Sequence, residues 1–185
     1  MKFKKILVTG FDRSALDDNI WKRIAKLTDS IVFEPAADVD CVFSKFNKID
    51  SEFIDGLPRL RYIGLLATGF GTVDVAHAKS KKITVCNIPG YATESVAEYV
   101  FGLILEHLRS LEKAKVAGRN GDYSGDGFSA TEIKGRQFGI IGLGRIGSRV
   151  AQLASSFGAH VVYWSRERKK DMETKTIVYK PIDAF

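Results

Sequence analysis

An apolar strand that runs straight into three spaced glycines constrains this chain more than any other feature. Residues 139–151 read Gly-Ile-Ile-Gly-Leu-Gly-Arg-Ile-Gly-Ser-Arg-Val-Ala. The G-x-G-x-x-G spacing of Gly142, Gly144 and Gly147 opens a helix whose apolar positions Val150, Ala151, Leu153 and Ala154 recur at helical spacing. Such a turn is an anion site, because free backbone N–H groups and the positive end of the helix dipole converge there. Gly142 permits the tight turn, Gly144 lets a diphosphate approach the backbone, and Gly147 lets the helix lie close on the strand. A second strand, His160 to Trp164, completes a β-α-β unit and ends where the adenosine ribose of a dinucleotide is expected. The competing reading is a glycine turn that serves packing alone.

Composition narrows the partners. With 185 residues, 45% of them hydrophobic, the chain has material for one large domain or two small ones. The N-terminal apolar run is too short for a signal peptide and no stretch approaches a membrane span, which predicts a cytoplasmic protein with no membrane partner. Cys41 and Cys86 lie in apolar, strand-like runs without C-x-x-C spacing and are expected as buried, reduced thiols. His77, His107 and His160 are scattered without ligand spacing, so no metal is implied. A net charge of +6 raises the question of nucleic acid. The densest basic clusters, Lys79–Lys82 and Arg166–Lys170, carry no recognition helix or interleaved aromatics, so a solvated surface and an anionic cofactor explain them better.

Along the chain, apolar strands are expected at Lys5–Thr9, Ser30–Phe33, Asp40–Ser44, Leu60–Leu66 and Ile83–Asn87. Helical patterns lie between them, through Leu16, Ile20, Ile24 and Leu27, over 50–56, and over Val73–Lys79. Strands alternating with helices predict an α/β fold with parallel sheets. The loop 67–74 falls at the C-terminal end of a strand, where ligands bind in open α/β sheets. Its two glycines leave amides free for a carboxylate, or make a plain turn. Glu94–Leu111 reads as one helix whose wide stripe of Val96, Val100, Phe101, Ile104, Leu105, Leu108 and Leu111 suits packing on two sides. His107 on it reads as structural, since no acid or nucleophile stands at helical spacing to orient it. Ala117–Ser129 is aperiodic and rich in Gly, Asp and Ser, a surface loop without calcium-loop spacing. Lys175–Tyr179 is a further strand, and Pro181 begins what looks like the first turn of a helix. After Trp164 stands Ser165, where an acidic residue would select NAD by bonding the ribose 2′-OH. Ser165 repels no phosphate, and Arg166, with Arg168 or Lys169, could pair with one, so the residues lean toward NADP(H) over NAD(H).

Taken together, residues 66–74, residues 85–98 and the Gly142–Gly147 turn resemble the D-isomer-specific 2-hydroxyacid dehydrogenase family, the first two most like its glycerate dehydrogenase and hydroxypyruvate reductase branch. The resemblance implies a flavodoxin-like substrate domain over 1–95, then a linking helix and the N-terminal part of a Rossmann domain over 96–185. It implies that the Thr68 and Gly69 amides hold a substrate carboxylate and that Thr93 approaches the nicotinamide. The Arg145 and Ile146 amides then bind the pyrophosphate, and Ser165 with Arg166 face the adenosine ribose. The substrate so implied is a small 2-keto or 2-hydroxy acid such as glyoxylate or hydroxypyruvate. The family's catalytic His, Glu and Arg have no counterpart in these 185 residues, so a C-terminally truncated chain, inactive alone, is expected; a nucleotide-binding or partner-binding module is the alternative. A homodimer is expected from the usual symmetry of soluble enzymes.

Overall fold

The computed structural model describes residues 2–128 and 131–185, so Met1 and Ser129, the end of the expected surface loop, lie outside the described residues. The chain forms two compact units, Met1–Tyr91 and Ala92–Phe185. The break falls ahead of the 95/96 division read from sequence, because the helix that begins at Thr93 packs on the core of the second unit.

The first unit is a five-stranded parallel sheet: β1 (Phe3–Thr9), β2 (Thr28–Val32), β3 (Cys41–Ser44), β4 (Tyr62–Leu65) and β5 (Thr84–Cys86). Its order is β2-β1-β3-β4-β5, the flavodoxin arrangement. Parallel sheets are covered on both faces, which is why β1 reads as an unbroken apolar run. Ile6 and Val8 face a core with Trp21 and Ile24 of α1 (Asp18–Ala25), while Leu7 faces the opposite core with Ile54 of α2 (Ser51–Asp55) and Ala78 of α3 (Val75–Ser80). All three helices start on an aspartate whose side chain accepts a backbone N–H, Asp17 from Asn19, Asp50 from Phe53 and Asp74 from His77. The stripe expected on α1 is rotated: Trp21 and Ile24 are buried, whereas Ile20 and Leu27 are exposed. Cys41 is buried as expected, but Cys86 is exposed, because β5 ends the sheet.

At the N-terminal edge of this sheet Asp40 accepts bonds from the Lys4 and Lys5 amides and from Arg61 Nε and Nη2, at 3.0 to 3.1 Å. Burial pushes the Asp40 carboxyl up, but the two amides and the Arg61 guanidinium outweigh it and hold the carboxyl below its ordinary value. A depressed carboxyl adds stability that is present above the unfolded pKa of about 4 and is lost as pH falls through the folded value. Asp40→Asn is therefore expected to cost roughly 1–2 kcal/mol at neutral pH, most of it from weakening the bonds that the Lys4 and Lys5 N–H groups donate, since solvent screens the half-exposed Arg61. Denaturant melts across the acid range should show a shallower pH dependence in the variant; an unaltered acid slope would refute the assignment.

The second unit begins with α4 (Thr93–Arg109) and α5 (Leu111–Arg119). The single helix expected to Leu111 stops at Arg109, because Ser110 adopts the left-handed conformation at φ 48°, and α5 follows where no element was expected. Ala97 and Phe101 of α4 are buried, with Val100, Ile104, Leu105 and Leu108 packed beside them. Val96 and Leu111, expected on the buried stripe, are exposed. Strands β6 (Gln137–Ile141), β7 (His160–Trp164) and β8 (Ile177–Tyr179) are parallel in the order β6-β7-β8, and α6 (Arg145–Ser156) crosses from β6 to β7. Phe101 stacks on Phe157 at 5.1 Å and on Phe138 at 6.0 Å, fixing α4 over this unit's core. The expected helical turn after Pro181 is a single 3-10 turn at Ile182–Ala184.

Candidate functional site

The three glycines of the turn answer to three different constraints. Gly142 takes φ +101°, which L side chains rarely adopt, and its N–H donates to the Trp164 carbonyl at 2.7 Å, joining the C-terminal ends of β6 and β7. A Cβ on Gly147 would overlap the carbonyl oxygen of Gly142, so α6 can approach the strand only with glycine there. Gly144 is the N-cap of α6 in extended conformation, with no cap bond from a side chain and open space where a Cβ would stand. The Arg145 and Ile146 amides lie in the first turn of α6, where no carbonyl four residues back is available, and they find no other acceptor among the described residues. Thr93 is the first residue of α4; its neighbour Glu94 accepts a 2.7 Å bond from Arg149 of α6, which ties the start of α4 to α6.

A groove of about 530 Å³ runs from this turn to the end of β7, lined by Ile141, Gly142, Leu143, Gly144, Trp164, Ser165, Arg166, Glu167 and Lys169. Gly142, Gly144, Ser165 and Arg166 are thus brought together in one concavity. Ser165 is buried and its Oγ donates to the Glu167 carbonyl at 2.6 Å, curling the chain just beyond the strand. Arg166 is exposed and makes no ion pair among the described residues. The sequence reading offered Arg168 or Lys169 as its helpers. Arg168 is engaged outside the groove by a two-pronged bond to Glu173 at 2.6 and 2.7 Å, whereas Lys169 stays in the groove and pairs there with Glu167 at 3.3 Å. Glu173, which sequence reasoning missed, also accepts from the buried Tyr163 hydroxyl at 3.0 Å. The Arg168 guanidinium pulls its carboxyl down to about 2, so it is an anion throughout the neutral range.

In the first unit, the loop after β4 is tethered at both ends. Asn87 Nδ2 donates to the Thr68 carbonyl at 2.6 Å, the Ile88 N–H to Ala67 at 3.0 Å, and Ile49 and Val73 form a parallel bridge. Between these tethers Thr68 and Gly69 are exposed, and their amides donate to no partner among the described residues. Asn87 was legible as a polar residue closing an apolar strand, although nothing local pointed to Thr68. The histidines stand elsewhere. His77 Nε2 lies 3.0 Å from the Asp55 carboxylate on the helical layer, His107 is within α4, and His160 begins β7 at the edge opposite the groove. No group of three His, Cys, Asp or Glu that could hold a metal occurs among the described residues. Nor is any described helix long and apolar enough to cross a membrane.

A flavodoxin-ordered sheet, together with a glycine turn at the head of a second parallel β-α-β-β unit, defines a Rossmann-type α/β protein. The chain belongs to the D-isomer-specific 2-hydroxyacid dehydrogenase family, whose catalytic-domain profile matches residues 11–179. It is 32% identical over 182 residues to a glyoxylate reductase of Thermococcus gammatolerans, covering 94% of this chain and 54% of the relative. A glyoxylate reductase of Aeropyrum pernix is 33% identical over 165 residues, covering 85% and 49%. The D-lactate dehydrogenase of Aquifex aeolicus, solved with NAD and lactic acid, superposes with a TM-score of 0.85 at 28% identity, covering 97% of this chain and 56% of that one. The chain spans about half the length of the curated relatives it matches.

Proposed function

We propose that this chain provides the coenzyme-binding and carboxylate-binding parts of an NAD(P)-dependent reductase of small 2-keto acids, glyoxylate or hydroxypyruvate, with NADP(H) preferred. The observation that carries this reading is the groove at the end of β6 and β7, which is lined by Gly142 to Gly144, just ahead of the unbonded Arg145 and Ile146 amides, and by an uncommitted Arg166. A dinucleotide diphosphate fits an open N-terminal helix turn at Gly144, and the coenzyme supplies a hydride when bound. In this reading Arg145 and Ile146 hold the pyrophosphate through their amides, Thr93 approaches the nicotinamide end, and Ser165 with Arg166 receive the ribose. The first unit, up to Tyr91, then acts as the substrate domain, with Thr68 and Gly69 binding the substrate carboxylate, and the second, from Ala92, as the coenzyme unit. Val96, Tyr99 and Leu103 are exposed at i, i+3 and i+7 on α4, which supports extending the reading to a homodimer.

The Aquifex relative was solved with NAD, so the preference for NADP(H) rests on Ser165 and Arg166 alone. Calorimetric titration of the chain with NADPH and NADH decides it. NADPH should bind more tightly, and Arg166→Ala should weaken NADPH by about tenfold while leaving NADH within about twofold. A folded chain that binds neither coenzyme would refute the reading; equal binding of both would refute the preference.

A further inference from the structure

Four cations, Arg166, Arg168, Lys169 and Lys170, follow β7 in close succession, and the structure treats them differently. Arg166 and Lys169 line the groove, whereas Arg168 does not. Its guanidinium forks onto both Glu173 oxygens at 2.6 and 2.7 Å and lies 5.2 Å from the centre of the Tyr179 ring on β8. Glu173 is itself fixed from within the fold. Tyr163, fully buried on β7, donates to the same Glu173 oxygen that meets Arg168 Nε, and its hydroxyl accepts the Lys169 N–H at 2.9 Å.

We propose that Glu173 is a specificity-determining residue for the coenzyme's adenosine end: it holds Arg168 out of the groove and leaves Arg166 as the uncommitted arginine there. This rests on the coenzyme reading above and deepens it. A planar fork matched to a carboxylate is equally matched to a phosphate, so Arg168 has a choice of anion, and Glu173 occupies it. Lys169 pairs with Glu167 and Arg168 with Glu173, which leaves Arg166 as the one cation of the strip that lines the groove without an ion pair among the described residues. Such a strip favours a 2′-phosphate without the full attraction that three free cations would exert. Neutralising Glu173 removes an anion and frees a guanidinium in the same place, and both changes favour NADPH over NADH.

The test is a set of NADPH and NADH titrations on the wild type, Glu173→Gln, Arg168→Ala and the double variant. Glu173→Gln should raise the ratio of NADPH to NADH affinity about fivefold. Arg168→Ala alone, which bares the Glu173 charge, should lower that ratio by no more than about twofold, and in the double variant it should cancel most of the gain. A ratio unmoved or lowered by Glu173→Gln overturns the proposal. So does a ratio lowered more than about twofold by Arg168→Ala alone, since that arginine would then already face the coenzyme; this single variant decides the matter should Glu173→Gln fail to fold. A folded wild type that binds neither coenzyme instead refutes the underlying reading, and is told apart by the absence of any binding to compare.

Discussion

Supplied with NADPH and glyoxylate, the 185-residue chain is expected to bind the coenzyme and consume none of it above the uncatalysed rate. Reducing a 2-keto acid places negative charge on the carbonyl oxygen, which needs a proton donor within reach and a cation beside it. General acid catalysis alone is worth about 10²–10⁴-fold, and a charge-stabilising donor about another 10²–10³-fold. None of the three histidines stands in either candidate site: His77 is paired with Asp55 between two helices, His107 lies in α4, and His160 is at the N-terminal end of β7. Arg166 lines the groove beside Ser165 at the end of β7, where the proposed reading puts the ribose, so in that reading it is not the cation the keto group requires. The assay follows loss of the reduced-nicotinamide absorbance against coenzyme in buffer, with glyoxylate and hydroxypyruvate tried in turn. Turnover above that baseline would mean that one of these histidines, or another side chain of the chain, delivers the proton.

The parts of the fold that were legible share one property: each is dictated by neighbours a few residues away. The glycine turn could be read because strand, turn and helix follow directly, and the parallel sheets because apolar runs such as Ile6-Leu7-Val8 are buried on both faces. Where burial depends on position in the sheet, reading failed. Cys86 sits in the same kind of run as Cys41, yet one closes an edge strand and is exposed while the other is central and buried. The break at Ser110 was equally hidden, since serine carries no local sign of left-handed backbone and the apolar pattern continues across it. Charge pairing was the least legible. Arg168 and Glu173 are five apart, off the helical i, i+4 spacing, and meet only because the chain curls after Ser165 and passes Tyr163. The basic run therefore read as a cluster of equivalent cations, whereas the fold commits Arg168 and Lys169 and leaves Arg166 unpaired in the groove.

Valine at Gly144 and alanine at Gly147 are expected to damage the same turn in opposite ways. Gly144 has φ −81° and ψ −163°, extended backbone that a β-branched residue adopts readily, and nothing lies within 4 Å of the place its Cβ would take. The protein itself hardly resists Gly144→Val: loss of a good N-cap residue costs about 0.5–1 kcal/mol. The isopropyl group would instead stand in the space through which a diphosphate reaches the Arg145 and Ile146 amides, cutting those charge-assisted bonds. Two such bonds at roughly 1.5 kcal/mol each give a loss in NADPH affinity of about 100-fold. At Gly147 the order reverses, because a methyl group would press on the Gly142 carbonyl from inside the strand–helix contact and no side chain can yield there. Overpacking of this kind costs about 1–3 kcal/mol, so Gly147→Ala should lower the melting temperature well before coenzyme is added. Thermal melts with and without NADPH separate the two: Gly144→Val should melt near the wild type and gain nothing from coenzyme, while Gly147→Ala should melt early. If Gly144→Val kept its NADPH affinity, the coenzyme's phosphates would have to lie elsewhere than on the open turn of α6.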